Sequence, residues 1–132
     1  MPDPDHAASA AITATPYVEQ RVARSLFIDV RGLCLHLRIW GESAQASAER
    51  PSMFLLHGWM DVGASFQFAV DAMSSDRHIV ALDWRGFGLS DPSGADSYWF
   101  PDYLGDLDLL IDSLAARGEL SEVIDLLGHS MG

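Results

Sequence analysis

Three short, mostly apolar runs constrain this chain more than any other feature. They are Met53-Phe54-Leu55-Leu56, His78-Ile79-Val80-Ala81-Leu82-Asp83 and Glu122-Val123-Ile124-Asp125-Leu126-Leu127-Gly128. Runs this short, without polar alternation, fit strands buried on both faces. Helical spacing separates them. Phe66, Ala69, Val70 and Met73 fall at i, i+3, i+4, i+7 within residues 64–75, which predicts a helix there. Pro101 suits a second helix start, and Gly118 its end. Between them Leu104, Leu107, Ile111 and Leu114 make one apolar face, with Asp102, Asp106, Asp108 and Asp112 mostly elsewhere. Upstream, Leu33, Leu35, Leu37 and Ile39 alternate with Cys34, His36, Arg38 and Trp40. Period two predicts a strand, and Arg31-Gly32 before it a hairpin turn. Strands alternating with helices predict an α/β fold: a mostly parallel sheet with an N-terminal hairpin, flanking helices and right-handed crossovers. Residues 1–20 lack a period and are expected to form a mobile tail ahead of a domain over 21–132. Residues 42–51 and 84–94 are expected loops.

Composition excludes several functions. Asp plus Glu number 19 against 8 Lys plus Arg, a formal net charge of −11. Such a chain has little with which to hold a nucleic-acid backbone. Every basic residue is Arg and none is Lys, which removes a Walker-type phosphate loop and a Schiff-base lysine. The single cysteine, Cys34, cannot form an internal disulfide. No apolar run approaches the roughly 20 residues that span a bilayer, and the first residues are acidic rather than signal-like. The expectation is a soluble, cytoplasmic protein with a small-molecule substrate and neither nucleic acid nor membrane as partner.

Chemistry concentrates after the three runs. Gly128-His129-Ser130-Met131-Gly132 is G-x-S-x-G directly after an expected strand. On a sharp strand-to-helix turn Ser130 would project above the sheet, and Gly128 and Gly132 would let the backbone close. The alternative is an ordinary glycine-flanked turn. His57-Gly58-Trp59-Met60 follows the first run. An acyl-transfer enzyme aims backbone N–H groups at a developing oxyanion; here Trp59 and Met131 are the candidates. His57 is expected to tie its loop down rather than catalyse. A metal role would need ligands at close spacing, and no such pattern exists. The third segment is Asp83-Trp84-Arg85-Gly86-Phe87-Gly88-Leu89-Ser90. Gly86-x-Gly88 after a strand suggests a dinucleotide site, but position 91 is Asp instead of the third glycine and no helix pattern opens there. A tight turn fixed by Asp83 and Arg85, paired or hydrogen-bonded, fits better. Trp59, Trp84, Phe87, Trp99 and Phe100 suggest an apolar pocket, or simply core.

In these three segments, their order and their spacing, residues 24–132 resemble the α/β-hydrolase superfamily. His57-Gly58-Trp59-Met60-Asp61 looks like its serine-hydrolase-like branch. The resemblance implies Ser130 as nucleophile, an oxyanion hole from the N–H groups of Trp59 and Met131, and no metal or organic cofactor. It implies an ester, thioester or amide substrate hydrolysed through an acyl-enzyme. Relatives that open epoxides or break carbon–halogen bonds carry Asp at the nucleophile position, so Ser130 argues against those reactions. In the superfamily the acid and the histidine follow the nucleophile in chain order. The expectation is therefore the N-terminal part of a hydrolase domain, ending at the nucleophile elbow and inactive alone. A non-catalytic fragment or interaction module of hydrolase ancestry and a cofactor-free haloperoxidase or perhydrolase are the alternatives.

Overall fold

Arg31 and Gly32 both take left-handed backbone, with φ of 51° and 78°. That is the conformation a two-residue hairpin turn requires. It joins β1 (Arg24–Val30) to β2 (Leu33–Trp40) in antiparallel register, Val30 opposite Leu33 and Arg24 opposite Ile39. The computed structural model describes residues 14–73 and 76–132. Three further strands follow: β3 (Ser52–Leu56), β4 (Ile79–Leu82) and β5 (Ile124–Gly128). The sheet order is β1-β2-β4-β3-β5. β2 runs antiparallel to β4, while β4, β3 and β5 are mutually parallel. This is the expected α/β architecture, a mixed sheet with a parallel core.

The sheet buries apolar side chains on both faces. On one, Leu35, Leu37, Phe54, Val80 and Leu82 pack with Leu110 and Leu114 of the helix α2 (Phe100–Ala116). On the other, Trp40, Leu55, Ile79 and Ala81 meet Val70 of the helix α1 (Gln67–Ala72). β4 is buried at every position, as its unbroken apolar run demands.

Four expectations change. The helix expected over 64–75 is shorter: a 3-10 turn at Gly63–Phe66 leads into α1, and Met73 leaves the helix in extended backbone. The Asp61 carboxylate imposes that tight start by accepting from the Val62 N–H at 2.8 Å and from the Ser65 hydroxyl. Ser74 and Ser75 lie outside the described residues. Secondly, α2 buries Tyr103, Asp106, Leu110 and Leu114, while Leu104 is 66% exposed. Asp106 pairs with Arg31 and Arg85 there, and the buried stripe meets the expected one at Leu114, with Leu107 and Ile111 packed at its boundary. Thirdly, β5 is not buried on both faces. Leu126 and Leu127 are exposed, and β5 pairs with β3 alone at the sheet edge. Finally, part of the expected tail is fastened down. The Tyr17 hydroxyl and the Gln20 and Arg21 N–H groups all donate to Asp71 on α1. Residues 1–13 of that tail lie outside the described residues.

Candidate active site

Because β3, β4 and β5 are parallel, the segments that follow them leave by the same rim of the sheet. Residues 57–61, 83–90 and 129–132 therefore become neighbours. At the end of β5, Ser130 has φ 58°, a left-handed conformation that non-glycine residues rarely adopt and that marks strain at functional turns. The turn is held by the His129 N–H donating to the Leu56 carbonyl and the Gly132 N–H donating to the His129 carbonyl, each at 3.0 Å. A Cβ on Gly128 would run into the Gly132 carbonyl, and one on Gly132 into the Leu56 carbonyl. Both glycines are thus dictated by backbone contact. Ser130 is exposed to solvent at the tip.

The segment after β3 lies against this turn. A Cβ on Gly58 would sit 3.0 Å from the Ser130 Cβ and 3.2 Å from the His129 carbonyl oxygen. Met60 repeats the left-handed backbone at φ 58°. His57 is fully buried. Its Nδ1 lies 2.7 Å from the Gly58 carbonyl, and its Nε2 accepts the Trp84 N–H at 3.0 Å. A carbonyl can only accept, so Nδ1 carries the hydrogen and the Nε2 lone pair is occupied. His57 thus bridges two loops, and neither ring nitrogen is free to serve as a base. Trp84 Nε1 returns a hydrogen bond to the His57 carbonyl at 2.9 Å. Asp61, in the same segment, is held below the usual carboxylate range, chiefly by the Ser65 hydroxyl bond.

Asp83 and Arg85 fix the third segment, but not through each other. Asp83 accepts from His36 Nδ1 at 2.7 Å, the Gly63 N–H at 2.7 Å and the Leu89 N–H at 3.0 Å. Arg85 forms a two-pronged pair with Asp106 of α2, at 2.5 and 2.6 Å. That pair, helped by nearby Asp102, pushes the guanidinium above its ordinary value. Arg31 from the hairpin turn joins them, 3.2 Å from Asp106 and 2.8 Å from Asp102. Gly88, at φ 56°, passes so close to the Asp83 carboxylate that a Cβ would overlap it. Gly86, at φ 81°, stands under the Tyr98 ring in the same way.

His36 and Asp106 are the site-supporting residues that sequence reasoning missed. Asp106 sits in register with Tyr103, Leu110 and Leu114, and that spacing was the available signal. His36 carried none beyond its place on an alternating strand.

The aromatic residues divide. Trp59 packs edge-on against Phe87 and Tyr98, with ring centroids 5.2 and 5.8 Å apart. Trp84 and Phe100 line a cleft of about 260 Å³ with Leu56, Tyr103, Met131 and Gly132. Trp99 is exposed. Burial in the wall of this cleft pushes the Tyr103 phenol up to about 12. Both ring nitrogens of His36 and His57 are engaged away from Ser130, and His78 meets Ser52 through Nδ1 while its Nε2 is buried without a partner. His129 precedes Ser130 in the chain but makes no side-chain hydrogen bond to it among the described residues, and His6 lies outside them. Among the described residues no three His, Cys, Asp or Glu side chains gather as a metal site would, and no helix is long and apolar enough to cross a membrane.

A parallel sheet core with a strained serine turn at its carboxyl rim is the framework of an α/β hydrolase. Comparison with known proteins agrees. A family model described as serine aminopeptidase, S33, matches residues 47–132. The serine hydrolase-like protein of Danio rerio is 34% identical over 97 residues, covering 72% of this chain and 26% of that protein. Epoxide hydrolase 4 of Mus musculus is 33% identical over 102 residues, covering 76% of this chain and 26% of its own. The crystal structure of an α/β hydrolase from Novosphingobium aromaticivorans superposes with a TM-score of 0.68 at 26% identity, covering 85% of this chain and 37% of that one. The chain belongs to this α/β-hydrolase family. It spans about a quarter of the length of the two curated relatives named.

Proposed function

We propose that the chain carries the nucleophile and the oxyanion-binding loops of a serine hydrolase acting on an ester, thioester or amide. One observation carries the reading: an exposed Ser130 on left-handed backbone, at the shared rim, directly against Gly58. Ser130 Oγ attacks the carbonyl carbon, and the N–H groups of Trp59 and Met131 receive the oxyanion. The leaving group departs, and water releases the acyl group from Ser130. A serine hydroxyl is a weak nucleophile without a base. The reading therefore requires a histidine, oriented by an acid, that the described residues do not supply to Ser130. No metal or organic cofactor enters this chemistry.

The relatives named as epoxide hydrolases favour a second reading. Ser130 counts against it, because a carboxylate that opens an epoxide leaves an ester that water can cleave, whereas a serine hydroxyl would leave a stable ether.

Fluorophosphonate labelling of the protein isolated from its source cells, followed by peptide mapping, tests the proposal. The expected adduct is on Ser130 and disappears in Ser130→Ala. An unlabelled Ser130 in folded protein would leave a binding module of hydrolase ancestry.

A further inference from the structure

Away from Ser130, a second serine faces an oriented imidazole. Ser25 is exposed on the edge strand β1. Its Oγ lies 2.8 Å from His36 Nε2, and His36 Nδ1 lies 2.7 Å from Asp83 Oδ2. A carboxylate only accepts, so Nδ1 carries the ring hydrogen. The Nε2 lone pair then faces Ser25, and the Ser25 hydroxyl donates to it. Both supporting groups are buried, His36 at 2% and Asp83 at 4% exposure. They are also immobilised. Backbone N–H groups of Gly63 and Leu89 hold the Asp83 carboxylate, and the Phe27 ring packs on the imidazole at 4.9 Å. A hydroxyl bonded to a base, with that base oriented by a third group, is the arrangement that activates a weak nucleophile.

Two neighbours extend the arrangement into a site. The hairpin register sets Arg38 directly opposite Ser25, so both side chains stand on one face of the sheet. Arg38 Nε is buried without a hydrogen-bond partner, which leaves a donor available to an anionic oxygen. A cavity of about 310 Å³ adjoins Arg38, lined by His36, Arg38, Asp83, Gly88 and the apolar Val62, Ala64 and Leu89; Ser25 itself stands outside that lining. Its size and lining suit a short acyl chain.

We propose that Ser25, His36 and Asp83 form a second nucleophilic site that accepts the acyl group of activated esters of short carboxylic acids. Ser25 Oγ bonds to the carbonyl carbon while its proton passes to His36 Nε2. Asp83 balances the imidazolium, and Arg38 faces the oxyanion. The tetrahedral species collapses, the carbon–oxygen bond to the leaving group breaks, and that group takes the proton from His36. An ester remains on Ser25.

The test uses the 132-residue chain carrying Ser130→Ala, so its outcome is independent of the Ser130 reading. The chain is treated with p-nitrophenyl acetate and digested for peptide mapping. The absence of lysine leaves the α-amino group as the main competing amine. Expected is one equivalent of p-nitrophenolate released in a burst, with acetyl on Ser25. Adding Ser25→Ala removes the burst, and His36→Gln slows it by roughly 100-fold, the scale of a lost general base. Ser97, exposed on a loop and without an imidazole partner, is the internal comparator if His36→Gln does not fold. A folded chain whose Ser25 stays unmodified, reacts no faster than Ser97, or reacts equally fast in folded His36→Gln overturns the proposal.

Discussion

At the residue scale, the site rests on backbone positions that admit no side chain. Gly88 is the sharpest case. Its left-handed φ and its overlap with the Asp83 carboxylate act together. Gly88→Ala should destabilise by about 3 kcal/mol or more, combining backbone strain with overpacking. It should also break the Leu89 N–H bond to Asp83. Thermal unfolding measures the first effect, and amide exchange at Leu89 the second; an unchanged melting temperature would contradict this account. Such glycines were legible in the sequence because a turn motif prescribes them at fixed intervals. The partners of Asp83 and Arg85 were not. Adjacency in sequence suggested that they pair, but it does not show which partner each side chain meets once the elements pack. Asp83 finds His36 on β2, and Arg85 finds Asp106 on α2.

At the element scale, α2 and β5 show where periodicity misleads. The apolar residues of α2 admit two neighbouring registers, and the charged cluster selects one. Asp106 is fully buried against Arg85. Asp106→Asn should cost about 3 kcal/mol by leaving a buried guanidinium short of its counter-charge. Thermal unfolding with Leu104→Ala as the exposed control gives the comparison, and a loss no larger than in that control would refute the anchor. In β5 the apolar run did predict a strand, but composition does not reveal how many neighbours a strand has. Open N–H and C=O groups beside exposed Leu126 make this edge prone to self-pairing. Leu126→Lys should therefore raise the concentration at which the chain self-associates, with stability changed by no more than about 0.5 kcal/mol. Sedimentation velocity across a concentration series would show it; identical profiles for both chains would rule out β5 as the sticky edge.

At the scale of the whole molecule, order of elements was the most legible property, because alternating periods restrict the layers a chain can form. Its response to pH was not legible, since that depends on distant partners. Burial, then the charge of Arg24, holds the His78 imidazole below its ordinary 6.5. The unfolded chain takes up that proton more readily, so this contribution is complete above about pH 6.5 and declines below it. Asp71 behaves similarly at lower pH. Desolvation pushes its carboxyl up, but bonds from Tyr17, Gln20, Arg21 and Gln67 outweigh this and hold it at about 2, against 3.8. Its contribution is present above 3.8 and lost as pH falls towards 2. Tyr17, raised to about 12 by the same bond to Asp71, loses its share as pH rises from 10.0. Urea midpoints should accordingly fall in separate acidic steps, and His78→Gln should abolish the one nearest neutrality. A single step unchanged in that variant would place the titration elsewhere.

The parallel alignment of β3, β4 and β5 has one more consequence. The segments around Ser130 leave by one rim, so the segments entering these strands, residues 46–51, 76–78 and 117–123, lie on the other. The two rims are separate territories for the protein engineer. A reporter domain or an affinity tag spliced between Ser47 and Glu49 would hang from the far side of the sheet, leaving the chemical side clear.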